Sequence, residues 1–492
     1  METLIKDGYV HQLKDGRSSF EKKNILIKDD KISYIGDSGD FSNHKIDKII
    51  SANNCLVIPG LVNSHLHSHC HFNKGGFDNL PLEVWMLYLR PLYTGISLTP
   101  DEIYLRTLFG CIEMLKTGTT TIIDDIVQTP SLNEKNLEMI FKAYRKAGIR
   151  SLVTTHLVNM PMYKTIAYLD EMLDENLKQK LNSKFVPEDE ILSYVEENLK
   201  KFNTNNSIQR YVLAPSGPQR CTIKLQDGLK NLSEKYNVPS ICHVLETKTQ
   251  YITGKEIYNK TLVEYLKDNG LLYKNLSLVH CVWVTDKDIE LIADSGSRII
   301  HNPASNLKLG SGIAPVKKFI DNNIPVGLGT DNTSSNDSLN VFELMKLTGL
   351  IHKVQYTDYK KWVGADESFR MATIEGAKCA LMEDEIGTIE LDKKADLVLL
   401  DIRNERFIPS NNYLNQIVYA ENGSSVKTVM INGQVVVENG TIISFNEKEV
   451  LDEVTNLMPK VFKERKLAYE QAKDVSDKFK EAYFRAHEKY NN

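Results

Sequence analysis

The sequence predicts an α/β protein: a (β/α)8 barrel, a small β-sandwich built from both chain ends, and a C-terminal helical tail. Eight apolar, strand-like runs alternate with helical periodicity through the middle of the chain. Short β-rich runs with turn signals occupy both ends. The middle runs also terminate in histidines and aspartates, where a purely structural core would place apolar or small side chains.

At 492 residues the chain exceeds one typical core, so a large body plus a smaller one is expected. Hydrophobic residues make up 41% and charged residues 25%, the balance of an ordinary soluble globular protein. A net charge of −5 with scattered Lys and Arg gives no electrostatic reason to expect a nucleic acid partner. No stretch approaches the length needed to span a bilayer, and the N-terminus has no signal-peptide pattern, so no membrane partner is expected. Seven widely spaced cysteines without a C-x-x-C fit free thiols in a reducing cytoplasm.

Residues 1–58 form the first part of the expected sandwich, with short strands at 24–27, 32–35 and 48–51 separated by Asp29-Asp30 and Gly36-Asp37. Residues 386–445 form the second part, where Asn432-Gly433 between two apolar runs signals a hairpin. Between them, residues 59–385 form the barrel. Its strands are expected at 56–62, 119–124, 151–156, 211–215, 239–243, 276–280, 298–301 and 326–331. Helices are expected at 101–117, 132–147, 225–236 and 314–322, among others. No G-x-G-x-x-G follows the first strand, which argues against a doubly wound sheet. The tail, 446–492, has helical apolar spacing that Pro459 interrupts, and reads as a helix docked on its own barrel or a subunit contact.

His65 and His67 follow the first barrel strand two residues apart, so both imidazoles project from one face. With His243 and Asp331 at other strand ends they make a candidate mononuclear metal cage. Three neutral imidazoles and a carboxylate suit zinc or ferrous iron among the divalent first-row ions, and one zinc ion is the expected cofactor. Glu246, one turn beyond His243, is the candidate general acid/base, and Asp331 is expected to move protons with it. His280 could bind metal or hydrogen-bond the nucleophile and oxyanion, and the second role is preferred because four ligands already complete a site with one open position. His301 is a candidate substrate contact. His156 is a further mouth candidate, as are His69 and His71, while His11, His44, His352 and His487 read as surface residues.

These motifs together resemble the amidohydrolase superfamily: Pro59-Gly-Leu-Val-Asn-Ser-His65-Leu-His67, His243-x-x-Glu246, His280, His301-Asn-Pro-x-Ser-Asn-Leu-Lys-Leu-x-Ser-Gly, and Gly329-Thr-Asp331. The resemblance runs nearly end to end and is nearest the branch of S-adenosylhomocysteine/methylthioadenosine deaminases, guanine deaminases and chlorotriazine hydrolases. It implies hydrolytic attack on an sp² carbon of a heterocycle, and the roles above for His65, His67, His243, Asp331, Glu246 and His280. It also places Glu83 and Trp85 on a loop over the pocket.

Three departures bear on substrate and metal. Tyr211–Ser216 has no lysine to bridge two metals, so one ion per subunit is expected. Where nucleoside deaminases of the superfamily carry Pro-His-x-Pro, this chain reads Pro215-Ser-Gly-Pro218-Gln219-Arg220, which weighs against adenosine-like substrates. Gln219 and Arg220 would supply donors in that histidine's place. Asp331-Asn332-Thr-Ser-Ser335 resembles the triazine hydrolases, making Asn332 and Ser335 substrate-contact candidates.

The expected activity is metal-dependent deamination of a small nitrogen heterocycle (purine, pterin, pyrimidine or triazine type), with metal-activated hydroxide attacking an amidine carbon and ammonia leaving. The alternatives are hydrolysis of a triazine substituent or of a cyclic C–N bond, and an inactive assembly protein of the same fold. The intact ligand set argues against the last. An assembly of two or more copies is expected from the resemblance and the tail.

Overall fold

The computed structural model describes residues 1–490 except 15, 38, 40, 42, 43, 94, 96, 129–131, 183, 184 and 206. The N-terminal strands are β1 (Glu2–Lys14), β2 (Arg17–Lys28), β3 (Lys31–Gly36), β4 (Lys48–Ser51) and β5 (Cys55–Pro59). The barrel follows with β6 (Leu61–Leu66), β7 (Thr119–Ile126), β8 (Arg150–Leu157), β9 (Gln209–Tyr211), β10 (Ala214–Pro215), β11 (Ser240–Val244), β12 (Leu276–His280), β13 (Arg298–His301) and β14 (Val326–Leu328). The chain then returns through β15 (Leu397–Asp401), β16 (Val426–Ile431), β17 (Gln434–Glu438) and β18 (Thr441–Ile442).

Two parallel sheets make the barrel. One runs from β6 through β7 and β8 to β9 and β10, and the other runs β11-β12-β13-β14. Parallel bridges Leu213↔Ser240 and Leu66↔Asp331 join their edges and close the ring. The interior follows the period-2 rule: Val62, Ile123, Leu152, Val212, Ile241, Val279 and Ile300 form one buried cluster with Ala377 and Cys379 of the helix Ile374–Cys379.

Both chain ends share a nine-stranded sheet, ordered β18-β17-β16-β15-β5-β1-β2-β3, with β4 pairing on β1. Ile5, Val10, Ile25, Val57, Leu397 and Leu399 give it a core of its own. Arg150 of β8 and Asp396, just before β15, form a buried ion pair between sheet and barrel, with contacts of 2.9 and 3.0 Å.

Three expectations are corrected. The run 56–62 is two strands, not one: β5 belongs to the outer sheet and β6 to the barrel. They part at Gly60, whose N–H bonds Asp396 and where a Cβ would collide with Thr120. At the N-terminus, the expected strands 24–27, 32–35 and 48–51 fall within β2, β3 and β4, but the expectation omitted β1, residues 2–14, which forms a long hairpin with an extended β2. In the tail, the helix Glu447–Ala472 runs through Pro459. Burial of Val450, Val454 and Val461 there outweighs the lost hydrogen bond and ring clash, a cost of about 3 kcal/mol.

That helix lies against Pro100–Lys116, and the final helix Ser476–Lys489 packs on segments Leu82–Trp85, Leu169–Met172 and Lys248–Tyr258, so the tail docks on its own barrel. No helix among the described residues is long and apolar enough to cross a membrane.

Candidate metal centre

The barrel's C-terminal strand ends surround a cavity of about 690 Å³, within the range of small-molecule sites. At its inner end lie His67, His243, Glu246, His280 and Asp331. Local backbone geometry aims them. Strict alternation from Val62 would turn Ser64 and Leu66 inward, but a register shift between Asn63 and Leu66 re-aims the strand so that His65 and His67 face the site. Leu245, His280, Cys281 and Asp331 take positive φ of 50°, 76°, 49° and 59°, strained conformations that the surrounding packing holds in place. Gly329 permits the close approach of β14's end to β6, since a Cβ there would collide with Asn302 and His65.

The ligand-type atoms of His65, His67 and His243 lie within 4.8 Å of one another. Asp331 Oδ1 lies 3.7 Å from His65 Nε2 and 3.4 Å from His67 Nε2. Ligands on a tetrahedral ion with 2.0–2.1 Å bonds sit about 3.3 Å apart, so these spacings match a shared cation. The second imidazole nitrogens are also placed for this. His67 Nδ1 lies 2.5 Å from the Asp125 carbonyl, and His243 Nδ1 lies 3.0 Å from the Ser216 carbonyl, so both donate there and leave Nε2 lone pairs directed into the site. His65 Nε2 is buried without a hydrogen-bond partner among the described residues. Burial, and then the neighbouring imidazoles, hold His65 and His243 well below the ordinary histidine value, keeping them neutral. The donor set therefore fits a divalent metal ion.

Asp331 is fixed by Ser305 Oγ at 2.6 Å on Oδ2 and by the Asn332 backbone and side-chain N–H groups at 2.8 Å on Oδ1. His280 Nδ1 donates to Asn306 Oδ1 at 2.8 Å, which turns Nε2 toward Glu246 Oε2 at 3.6 Å and Asp331 Oδ2 at 3.8 Å. Burial, followed by the charge of Asp331, pushes the Glu246 carboxyl well above the usual range.

The cavity wall includes Trp85, His156, Arg220 and Asn332. The other four substrate-contact candidates do not line it. Glu83 accepts from Thr247 Oγ1 at 2.6 Å, Gln219 is buried, and Ser335 bonds Ser305 at 2.9 Å. His301 is buried, with its Nε2 3.1 Å from His352 Nε2. Nor are all the other histidines on the surface: His352 and His11 are buried.

Sequence reasoning missed Asp125. Its neighbour Asp124, the last residue of the expected strand 119–124, has a carboxylate that accepts from Ser68 N–H and the Tyr144 hydroxyl on the helix side. Asp125 points inward and binds His156 Nδ1 at 2.6 Å. Two residues beyond the inward Ile123, it follows the same alternation and was legible from it.

A barrel whose strand ends gather imidazoles and carboxylates around one point has the donor arrangement that metal-assisted hydrolysis uses. The amidohydrolase family pattern matches residues 56–436, and the chain belongs to the amidohydrolase family. A 5'-deoxyadenosine deaminase of Methanobrevibacter smithii is 31% identical over 479 residues, covering 96% of this chain and 98% of that one. Another from Methanococcus aeolicus is 34% identical over 447 residues, covering 89% and 96%. Two solved structures share the fold: an adenosine deaminase of Xanthomonas campestris with bound zinc (TM-score 0.82, 23% identity, 94% and 98% covered) and an atrazine chlorohydrolase of Arthrobacter aurescens complexed with zinc (0.83, 23%, 93% and 100%).

Proposed function

We propose that this protein is a hydrolytic deaminase of adenosine-type compounds, using one zinc ion held by His65, His67, His243 and Asp331. The single observation that carries the reading is convergence: three imidazoles with free Nε2 atoms, a carboxylate at ligand spacing, and a protonatable Glu246 beside them. The relatives named as 5'-deoxyadenosine deaminases, matched over nearly their whole length, outweigh the missing Pro-His-x-Pro histidine as a guide to substrate. Burial of all seven cysteines as free thiols suits a cytoplasmic enzyme, and an assembly of two or more copies remains part of the proposal.

A zinc ion in this cage supplies Lewis acidity that brings the pKa of a ligated water toward neutrality. Glu246 takes a proton from the attacking water and delivers it to the departing amine, which its raised pKa equips it to do. His280, neutral and donating from Nδ1 to Asn306, accepts through Nε2 and so orients that water. It donates to the tetrahedral oxygen only once protonated. Asp331, clamped by Ser305 and Asn332, keeps the ligand geometry. Trp85 gives the cavity an aromatic wall for a planar base.

The test is ammonia release from purified, metal-analysed protein given 5'-deoxyadenosine, guanine, a pterin and an aminotriazine. Release from the adenosine compound fastest supports the reading. Release from the triazine alone overturns the substrate assignment.

A further inference from the structure

Asp125 and His156 take no part in the steps above, although they stand beside the metal ligands. They come from the neighbouring parallel strands β7 and β8. Their ligand-type atoms lie within 4.8 Å of one another and of His243. The His156 ring is 5.4 Å from that of His243 and 6.1 Å from that of His67. His156 lines the cavity, and Asp125 is fully buried.

The polarity of this pair is fixed. A carboxylate only accepts, so the 2.6 Å contact has His156 Nδ1 donating to Asp125 Oδ2. Burial keeps the imidazole neutral against the pull of Asp125. Nε2 is then the acceptor nitrogen, and the carboxylate on the other side of the ring makes it more basic. Asp125 Oδ1 has no hydrogen-bond partner among the described residues. A buried carboxylate satisfied on one oxygen only is costly to fold, which a purely structural role does not repay.

Placement points to the leaving group. His280 closes β12 and Glu246 follows β11, in one sheet of the barrel, whereas Asp125 and His156 belong to the other. A reacting carbon over the shared point has the groups that manage water on one side. On the other it has a lone pair backed by a carboxylate. A departing amine offers N–H donors and gains positive charge as it is protonated, so this arrangement stabilises it. A departing chloride offers no donor and gains negative charge, so the same arrangement opposes it.

We propose that His156, oriented by Asp125, accepts a hydrogen bond from the departing amine and so selects amine over halide as leaving group. This rests on the deaminase reading and adds to it how the leaving group is recognised. As the C–N bond breaks, its electron pair goes to the nitrogen, which has taken its proton from Glu246. Ammonia leaves hydrogen-bonded to His156 Nε2, and no proton passes to the imidazole. Asp125 is a positioning residue that fixes which nitrogen accepts.

The test compares 5'-deoxyadenosine with its 6-chloro analogue on the zinc-loaded enzyme, since the same attack converts both to one product. In His156→Leu the amine-to-chloride ratio of kcat/KM should fall about tenfold or more, chiefly through kcat. His156→Gln, which keeps an acceptor oxygen, should recover part of it. Asp125→Asn should move the ratio in the same direction, with metal content and thermal midpoint near wild type. A residue that only shapes the fold lowers both rates together, so an unchanged ratio in H156L overturns the proposal. Where H156L does not fold, an unchanged ratio in D125N does so. If neither nucleoside is hydrolysed, the function reading fails, and the ratio for an aminotriazine and its chloro analogue decides the pair separately. No turnover of any of the four compounds overturns both.

Discussion

His280 Nε2 lies 3.6 Å from Glu246 Oε2, two groups from neighbouring strands β11 and β12 that meet over one point in the cavity. A proton can pass between water, carboxyl and imidazole here without a side chain moving far.

Glu246→Gln keeps the shape and removes the proton carrier. Ammonia release should fall by about 10²–10⁴-fold while metal content stays at the wild-type level. Elemental analysis beside the rate measurement separates this from ligand loss, and a near-normal rate would remove Glu246 from the mechanism.

His243→Ala deletes an Nε2 donor at the shared point. Metal per chain should drop sharply and activity with it. Dialysis of the wild-type protein against a chelator should have the same effect on activity, reversed by zinc. If ferrous iron restores more activity than zinc, the metal assignment changes.

The Arg150–Asp396 pair predicts a structural effect far from the chemistry. Asp396 also accepts from Asn432 N–H at 2.7 Å, so Asp396→Ala leaves a buried guanidinium and a backbone donor unpaired. The expected cost is about 3–5 kcal/mol in denaturant unfolding, and less in the double variant with Arg150→Met, because the lone charge is gone.

Stability should also fall in mild acid. Burial lowers His11 to about 4 and His71 to about 3, from an ordinary 6.5. The unfolded chain therefore binds more protons than the folded one between these values and 6.5. Stability is full above pH 6.5 and is lost as pH drops toward 4 and then 3. For His11 the shift corresponds to about 3 kcal/mol. His11 sits between Phe20 and Phe369, with ring centroids 5.4 and 4.9 Å away. His11→Phe should flatten the pH dependence of the denaturation midpoint between pH 7.5 and 5, and an unaltered slope would refute the assignment.

The barrel and the convergence of the candidate ligands were legible because alternation and strand-end chemistry are local: His65, His67, His243 and Asp331 each close an apolar run. What escaped depended on long-range packing. Asp124 and Asp125 are indistinguishable as neighbours until one knows which face meets the helix carrying Tyr144. His352 looked superficial because nothing nearby in sequence reveals that it packs on His301, 51 residues away. The split at Gly60 was hidden because β5 and β6 are equally apolar, although they serve different sheets.

That division has a consequence for how the chain is made. β5 pairs along one edge with β1, but its other edge waits for β15, more than three hundred residues later. During synthesis that second edge of Leu56–Ile58 stays open on the ribosome until β15 has emerged, and an open apolar strand edge invites aggregation.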